Sequence, residues 1–158
     1  TSKIAVELLK KNPAGGVILN TSSMAGINGA MANIGYTSSK FAVEGLTLGM
    51  SRELGKYNIR VNAVAPAGME KTDVNGNMIP MDTSAYVNMP PETVAKMQKA
   101  TETALKFAPM GKFRCHPDEM INAFIFLASD AAAFISGQTI AVSGACIWPA
   151  ASPASSMN

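Results

Sequence analysis

The sequence predicts an α/β protein in which parallel strands alternate with helices around one sheet. Residues 17–19 are continuously apolar, as in a strand that is covered on both faces. A helical pattern follows from 36 to about 56, and a second strand pattern covers 58–65. Because this order is strand, helix, strand, we expect a right-handed parallel crossover.

The remaining segments extend the same arrangement. An apolar stripe near helical period predicts a helix over 3–11, which proline and glycine then end. Further helices are predicted over about 92–107 and over 117–128, the second with acidic residues in its first turn. A third strand is predicted over 137–142. The chain should therefore contain about three strands with flanking helices.

Bulk composition limits the class of protein. The chain has 158 residues, 47% of them hydrophobic and 15% charged, which is typical of one globular domain. Its 13 basic and 11 acidic residues are dispersed, so neither nucleic acid nor a membrane surface is an expected partner. Two cysteines are too few for a disulfide framework, and nothing resembles a signal peptide. We expect a cytoplasmic protein with a small-molecule partner.

Three polar side chains are candidates for one catalytic site. The strand pattern that begins at Gly16 stops at two hydroxyls, Ser22 and Ser23. Tyr36 and Lys40 are four residues apart at the start of the next helix, which places both on one helical face. Residues 24–35 are small and punctuated by glycine, so we expect a close-fitting loop that brings Ser23 beside Tyr36.

These residues resemble the signature of the short-chain dehydrogenase/reductase family, a serine at a strand end followed by Tyr-x-x-x-Lys on the next helix. Residues 17–26, 36–40, 60–66 and 136–144 match family blocks in order, so the resemblance covers nearly the whole chain. It implies a Rossmann-like doubly wound parallel sheet, of which this chain would be the C-terminal portion. It also implies hydride transfer between NAD or NADP and an alcohol or carbonyl substrate.

Carbonyl reduction requires a proton as well as a hydride, and a tyrosine can give that proton. A free tyrosine has a pKa of about 10, so proton transfer near neutral pH needs a neighbouring positive charge. Lys40 would supply this charge to Tyr36. The resemblance also implies that Lys40 binds the nicotinamide ribose and that Ser23 holds the substrate oxygen. The alternative is an amphipathic tyrosine beside a solvated amine. Ser22 is interpreted as a backbone hydrogen-bond partner.

The segment after the second strand supplies further candidates for cofactor binding. Pro66, Gly68 and Thr72 resemble a family segment in which a Pro-Gly pair and a threonine contact the nicotinamide end of the cofactor. Here Ala67 stands between Pro66 and Gly68, although Thr72 keeps its distance from Gly68. A purely turn-forming role for Pro66 and Gly68 is the alternative.

Other chemistries are disfavoured by the sequence. His116 is the only histidine, and no carboxylate or second thiol stands at ligand spacing from it and Cys115, so a metal site is not expected. A serine hydrolase is the rival class of enzyme, but the sequence contains no Gly-x-Ser-x-Gly elbow. Both cysteines are interpreted as buried or incidental.

Residues 1–148 are predicted to belong to one domain, with a flexible tail over 149–158 and a substrate lid over 69–108. Several methionines fall in or near the lid, where thioethers would either mould to an apolar ligand or pack the lid onto the body. Gly45 and Gly49 each cost about 1 kcal/mol in a helix, so we expect another backbone to approach them closely. The resemblance implies that this helix joins a homodimer or homotetramer interface.

Two family features are missing or altered. The sequence lacks the glycine-rich turn that holds a cofactor pyrophosphate, which we expect to lie before Thr1. The stretch 142–145 reads Val-Ser-Gly-Ala where the family usually has Val-Asp-Gly-Gly. The alternative to an enzyme is therefore a truncated, non-catalytic fragment or a partner-dependent structural protein.

Overall fold

The centre of the computed structural model is a three-stranded parallel sheet. The structure describes residues 2–29, 33–73, 75, 90–106, 108–112 and 114–146. The strands are β1 (Gly16–Thr21), β2 (Ile59–Pro66), β3 (Gly68–Met69), β4 (Arg114–Cys115) and β5 (Thr139–Val142); the helices are α1 (Ser2–Leu9), α2 (Ala25–Asn28), α3 (Ile34–Leu54), α4 (Pro91–Lys106) and α5 (Pro117–Ala128). The sheet order is β1-β2-β5, with both pairs parallel. This confirms the predicted α/β class with about three strands.

The strand β2 is the core of the molecule, because helices cover both of its faces. Ile59 and Val61 point to one face, where they pack with Leu54 of α3 and with partly buried side chains of α1. Val64 points to the other face and packs with Leu127 of α5. A strand that is buried on both sides favours apolar residues, which explains the continuous apolar run at the end of β2.

Two polar residues of β2 connect it to the segment between α5 and β5. The Arg60 guanidinium donates to the carbonyls of Leu127 (2.8 Å) and Ser129 (3.2 Å), which lie at the C-terminal end of α5. The carbonyls of the last helical turn, Leu127 included, have no partner within the helix, and a cation is favourable at this end of the helix dipole. Asn62 is fully buried; its Nδ2 donates to the Ile135 carbonyl (2.8 Å) and its Oδ1 accepts from the Gln138 amide (3.0 Å).

The structure differs from the sequence prediction in two short elements. Helix α2 lies within the stretch predicted as a loop, and the paired strands β3 and β4 were not predicted. Elements of four and two residues are too short to show a hydrophobic period, so the pattern could not reveal them.

The structure describes part of the predicted lid and none of the predicted tail. Residues 74, 76–89 and 107 of the lid, and the whole tail over 149–158, lie outside the described residues. The described part of the lid includes α4, close to the helix predicted over 92–107. Among the described helices, none is both long enough and apolar enough to cross a bilayer.

Asn62→Leu tests the role of the buried side-chain amide of Asn62 in β2. The substitution keeps the approximate volume but leaves the Gln138 amide without its partner and the Ile135 carbonyl with only its longer contact to Arg60 Nη1 (3.5 Å). We expect the free energy of unfolding of the complete protein to fall by about 2 kcal/mol or more, since each buried unpaired group costs roughly 1–3 kcal/mol. Denaturant unfolding measures this change.

Asn20→Leu is the matched control. Asn20 is half-buried, and its Nδ2 donates to Thr47 Oγ1 at 2.9 Å. The control should cost clearly less than Asn62→Leu. Equal losses from the two variants would contradict a special role for Asn62.

Candidate active site

The position of Ser23 is fixed by two backbone hydrogen bonds, one made by the residue before it and one by the residue after it. The Ser22 amide donates to the Val64 carbonyl (2.8 Å), and the Met24 amide donates to the Pro66 carbonyl (3.0 Å). Both acceptors belong to β2, so the pairing of β1 with β2 continues for three residues beyond Thr21. Ser23 is 8% exposed and therefore stands at the carboxyl end of the sheet in a defined place.

The hydroxyl of Ser23 also contacts the first residue of the short helix α2. Its Oγ accepts a hydrogen bond from the Ala25 amide at 3.1 Å, the local contact two residues along that serine favours where a chain turns. Because the oxygen acts as the acceptor there, the hydroxyl proton remains available to a further partner. Helix α2 ends at Gly29, whose φ of 72° is in the left-handed region that favours glycine.

Gly26 allows α2 to lie directly against α3. A Cβ atom at this position would come within 2.8 Å of the Lys40 carbonyl oxygen and 2.9 Å of Ser22 Oγ. No side chain fits at such distances, so only glycine permits this approach. The contact sets the distance between the end of β1 and the first turns of α3.

The first turns of α3 carry Tyr36 and Lys40 as predicted from their spacing. The Asn33 side chain caps the helix by accepting from the Tyr36 amide at 2.9 Å. One turn later, Lys40 Nζ donates to the Thr21 carbonyl at 3.0 Å, and it lies 5.6 Å from the centroid of the Tyr36 ring. The Tyr36 side chain is accessible, with 45% of the residue exposed. Lys40 thus links the phenol to the end of β1.

The face of α3 that packs on the sheet is mostly polar. Lys40, Glu44, Thr47 and Ser51 recur at helical spacing along it. The Glu44 carboxylate accepts hydrogen bonds from the hydroxyls of Ser22 and Thr139, and Thr47 accepts one from Asn20. Glu44 was not among the residues predicted from the sequence. The available signal was a carboxylate one turn after Lys40 and on the same face.

The opposite face of α3 corrects one expectation. A Cβ added at Gly45 or at Gly49 would meet no atom within 4 Å in the described part of the chain. The backbone predicted to approach these glycines is therefore not found among the described residues. Packing against a second chain stays a prediction.

The three cofactor candidates are divided between the two sheets. Pro66 ends β2, and its carbonyl accepts from Met24, next to Ser23. Gly68 belongs instead to β3 and pairs with Arg114. Thr72 follows β3 and is half-buried. Of the three, the structure connects Pro66 to the serine.

A cavity of about 240 Å³ lies beyond Pro66, between the ends of β2 and β5 and the segment that leads into α5. Lys112 and Glu119 line it and form an ion pair at 2.7 Å. Their hydrogen bond raises the pKa of Lys112 and lowers the pKa of Glu119. Burial raises the pKa of the Cys115 thiol, which also lines the cavity, and that of Cys146. Both thiols therefore stay protonated at neutral pH, as expected of buried structural cysteines.

Three candidate groups are thus placed near the carboxyl end of the parallel sheet: a serine hydroxyl, a phenol and an ammonium group. The expected contact between Ser23 and Tyr36 stays a prediction. A family model described as enoyl-(acyl carrier protein) reductase matches residues 1–145. The chain belongs to the short-chain dehydrogenase/reductase family.

Individual relatives agree with this assignment. The chain is 44% identical over 144 residues to a 3alpha-hydroxysteroid dehydrogenase of Mediterraneibacter gnavus, covering 91% of this chain and 49% of the relative. It is 36% identical over 132 residues to a 3-oxoacyl-(acyl-carrier-protein) reductase of Thermotoga maritima, covering 84% of this chain and 46% of the relative. The chain thus spans about half the length of these relatives.

A solved structure shares the fold. It is a 7 alpha-hydroxysteroid dehydrogenase complexed with NADH and 7-oxo glycochenodeoxycholic acid, with a TM-score of 0.67 and 31% sequence identity. The match covers 94% of this chain and 50% of that one. This likeness confirms the predicted Rossmann-like fold.

Gly26→Ala tests the close approach of α2 to α3. The added methyl group must displace the Lys40 backbone or the Ser22 side chain, and overpacking of this kind typically costs about 1–3 kcal/mol. We expect the free energy of unfolding of the complete protein to fall by that amount, measured by denaturant titration.

Gly55→Ala is the control, because Gly55 has a φ of −56° and open space around the Cβ position. It should be neutral or stabilising by up to about 1 kcal/mol. A neutral Gly26→Ala would show that α2 can move away from α3 without cost.

Proposed function

We propose that the complete protein transfers a hydride between NAD or NADP and a small alcohol or ketone, with Ser23, Tyr36 and Lys40 as its catalytic residues. The observation that supports this most directly is the connection of the three groups. Lys40 contacts the Thr21 carbonyl at the end of β1 and lies beside the Tyr36 ring, while Ser23 follows two residues later. A hydrolase would need a base next to the serine, whereas an ammonium group and a phenol suit proton transfer to an alkoxide.

The residues present fit the nicotinamide end of such a cofactor. An ammonium group has three donors, and within the described chain the Thr21 carbonyl takes one from Lys40. The others would be donors for the hydroxyls of a ribose. Pro66, held beside Met24, would border the nicotinamide ring, and Gly68 and Thr72 would extend this contact. When bound, the nicotinamide supplies or accepts the hydride.

The chain's own residues would handle the proton. In the direction of reduction, the Tyr36 hydroxyl donates its proton to the alkoxide oxygen that forms on the substrate. The Ser23 hydroxyl, whose oxygen already accepts from Ala25, donates a hydrogen bond to the same substrate oxygen. The ammonium group of Lys40 stabilises the phenolate that Tyr36 becomes.

For the substrate, we propose a secondary alcohol or ketone on an apolar frame, with hydroxysteroids as the first class to test. Two relatives with this type of name support the proposal, the 3alpha-hydroxysteroid dehydrogenase and the 7 alpha-hydroxysteroid dehydrogenase. Methionines in the predicted lid would suit such a surface. We also propose that the protein acts in the cytoplasm, which suits its two unpaired, buried cysteines.

Tyr36→Phe tests the proton donor. The complete protein is assayed with NADH and NADPH against 7-oxo glycochenodeoxycholic acid, acetoin and a 3-oxoacyl thioester. Loss of the hydroxyl should lower kcat by about 10²- to 10⁴-fold, the usual contribution of general acid–base catalysis, with cofactor binding nearly unchanged.

Tyr57→Phe is the matched control, because this phenol lies in the turn after α3, under the ammonium groups of Lys10 and Lys56. It should retain wild-type kcat. A Tyr36→Phe variant with more than half of wild-type turnover would rule out the assignment.

We also propose that the outer face of α3 packs against a second copy of the chain. Ser38, Ala42, Gly45 and Gly49 recur along this face at helical spacing and are exposed. Small side chains let two helices approach closely, and the exposed Phe41 and Leu46 flank them with apolar surface.

Gly49→Leu should therefore weaken a dimer or tetramer of the complete protein, because its side chain separates the two helices. Size-exclusion chromatography with light scattering at micromolar concentration measures the mass. Glu102→Leu, which adds the same side chain to the exposed surface of α4, should leave the mass unchanged. A monomeric wild-type protein would contradict the interface.

A further inference from the structure

The carboxylate of Glu44 has no part in the proton transfer described above, yet both of its oxygens are used. Oε1 accepts from the Ser22 hydroxyl and Oε2 accepts from the Thr139 hydroxyl. Ser22 follows the last residue of β1, and Thr139 is the first residue of β5. The two strands flank β2, so Glu44 spans the central strand of the sheet from above.

The contact between Glu44 and Ser22 adjoins the proposed site both at the end of β1 and along helix α3. Along the chain, Ser22 stands between Thr21, whose carbonyl binds Lys40 Nζ, and Ser23. Along α3, Glu44 is one turn after Lys40. The ammonium and carboxylate groups of one helical face therefore hold two consecutive residues, Thr21 and Ser22.

The Ser22 side chain has little freedom to form another contact. The residue is 2% exposed, its amide is bound by Val64, and a Cβ at Gly26 would reach within 2.9 Å of its Oγ. If Glu44 did not accept from it, the buried hydroxyl would have to turn within this confined space. An unpaired buried hydroxyl is costly, which favours a shift of the backbone that Ser22 shares with Ser23.

We propose that Glu44 is a positioning residue, which holds Ser22 and through it sets the position of the Ser23 hydroxyl relative to Lys40 and Tyr36. This inference rests on the proposed function. The contact of Glu44 with Thr139 has a different role, because this carboxylate oxygen attaches α3 to β5. The two hydroxyls therefore offer a matched pair of substitutions on one carboxylate.

The test compares Ser22→Ala with Thr139→Val in the complete protein, using the substrate and cofactor that the wild type turns over. Each variant removes one donor from Glu44. Ser22→Ala should lower kcat about ten- to a hundredfold, the effect of a small misplacement of a catalytic group, with the KM for NADH or NADPH nearly unchanged. Thr139→Val should keep kcat within about twofold while lowering the Tm.

Substitutions of Glu44 itself complete the test. Glu44→Leu should match Ser22→Ala in kcat, and the double variant should lose no more than either alone. Glu44→Gln should restore most of kcat, since an amide can accept from one hydroxyl and donate to the other. Equal kcat losses in Ser22→Ala and Thr139→Val, unchanged kcat in Glu44→Leu, or failure of Glu44→Gln to restore kcat would overturn the proposal.

Amide hydrogen exchange separates this proposal from the proposed function. Glu44→Leu should speed exchange in the segment 22–27 more than Thr139→Val does, whether or not any tested substrate is turned over. If the wild type is inactive on every substrate and cofactor tested, the proposed function fails and the exchange result alone decides the role of Glu44. Equal exchange in the two variants would overturn that role.

Discussion

The arrangement of the site depends on the polar contact between the inner face of α3 and the end of β1. Most helices that cover a sheet do so with an apolar stripe, and such a surface tolerates small rotations and shifts. Hydrogen bonds do not, because they weaken steeply with angle and distance. Lys40, Glu44 and Thr47 are each bound to a particular partner on the sheet, so these contacts restrict the rotation of α3, the helix that carries Tyr36.

Apolar packing stabilises the end of α3 that lies away from the candidate active site. At the far end of α3, Leu54 joins the cluster around Ile59 and Val61, at the start of β2. The two kinds of contact are therefore separated along one helix. Its N-terminal half is oriented by polar contacts near the candidate active site, and its C-terminal end is stabilised by the burial of apolar side chains. Gly26 completes this division, since it allows α2 to enter the space between Ser22 and Lys40.

The sequence predicts the long elements well and the connections between them poorly. Helix α3 and strand β2 have enough residues to show a period, and α5 begins and ends at the predicted residues. Helix α2 and the pair β3 and β4 are too short for this, and they form because of contacts with distant segments. The spacing of Ser23, Tyr36 and Lys40 was sufficient to select candidates for the site. The partner of each depends on tertiary contacts that spacing does not encode.

Glu44 is a second example of a tertiary contact that the sequence does not predict. Its two partners, Ser22 and Thr139, are 22 and 95 residues away from it in the sequence. No local pattern connects three positions so far apart, although Ser22 and Thr139 both contact Glu44 on the side of the sheet that α3 covers. Gly45 and Gly49 are the opposite case: their cost to the helix is visible in the sequence, but the described chain contains nothing that offsets it. An offset from a second chain would be invisible to any analysis of a single chain.

The contacts divide the chemistry of the proposed enzyme into two parts. The groups that would handle the proton are held by β1, β2, α2 and α3, all of which this chain contains. Binding of a dinucleotide also needs backbone amides around the pyrophosphate, and this sequence contains no glycine-rich turn to supply them. The chain spans about half the length of its relatives. In the function proposed above, its residues would orient the nicotinamide end of the cofactor and handle the proton, and these are the groups that the contacts between α3, β1 and β2 hold in place.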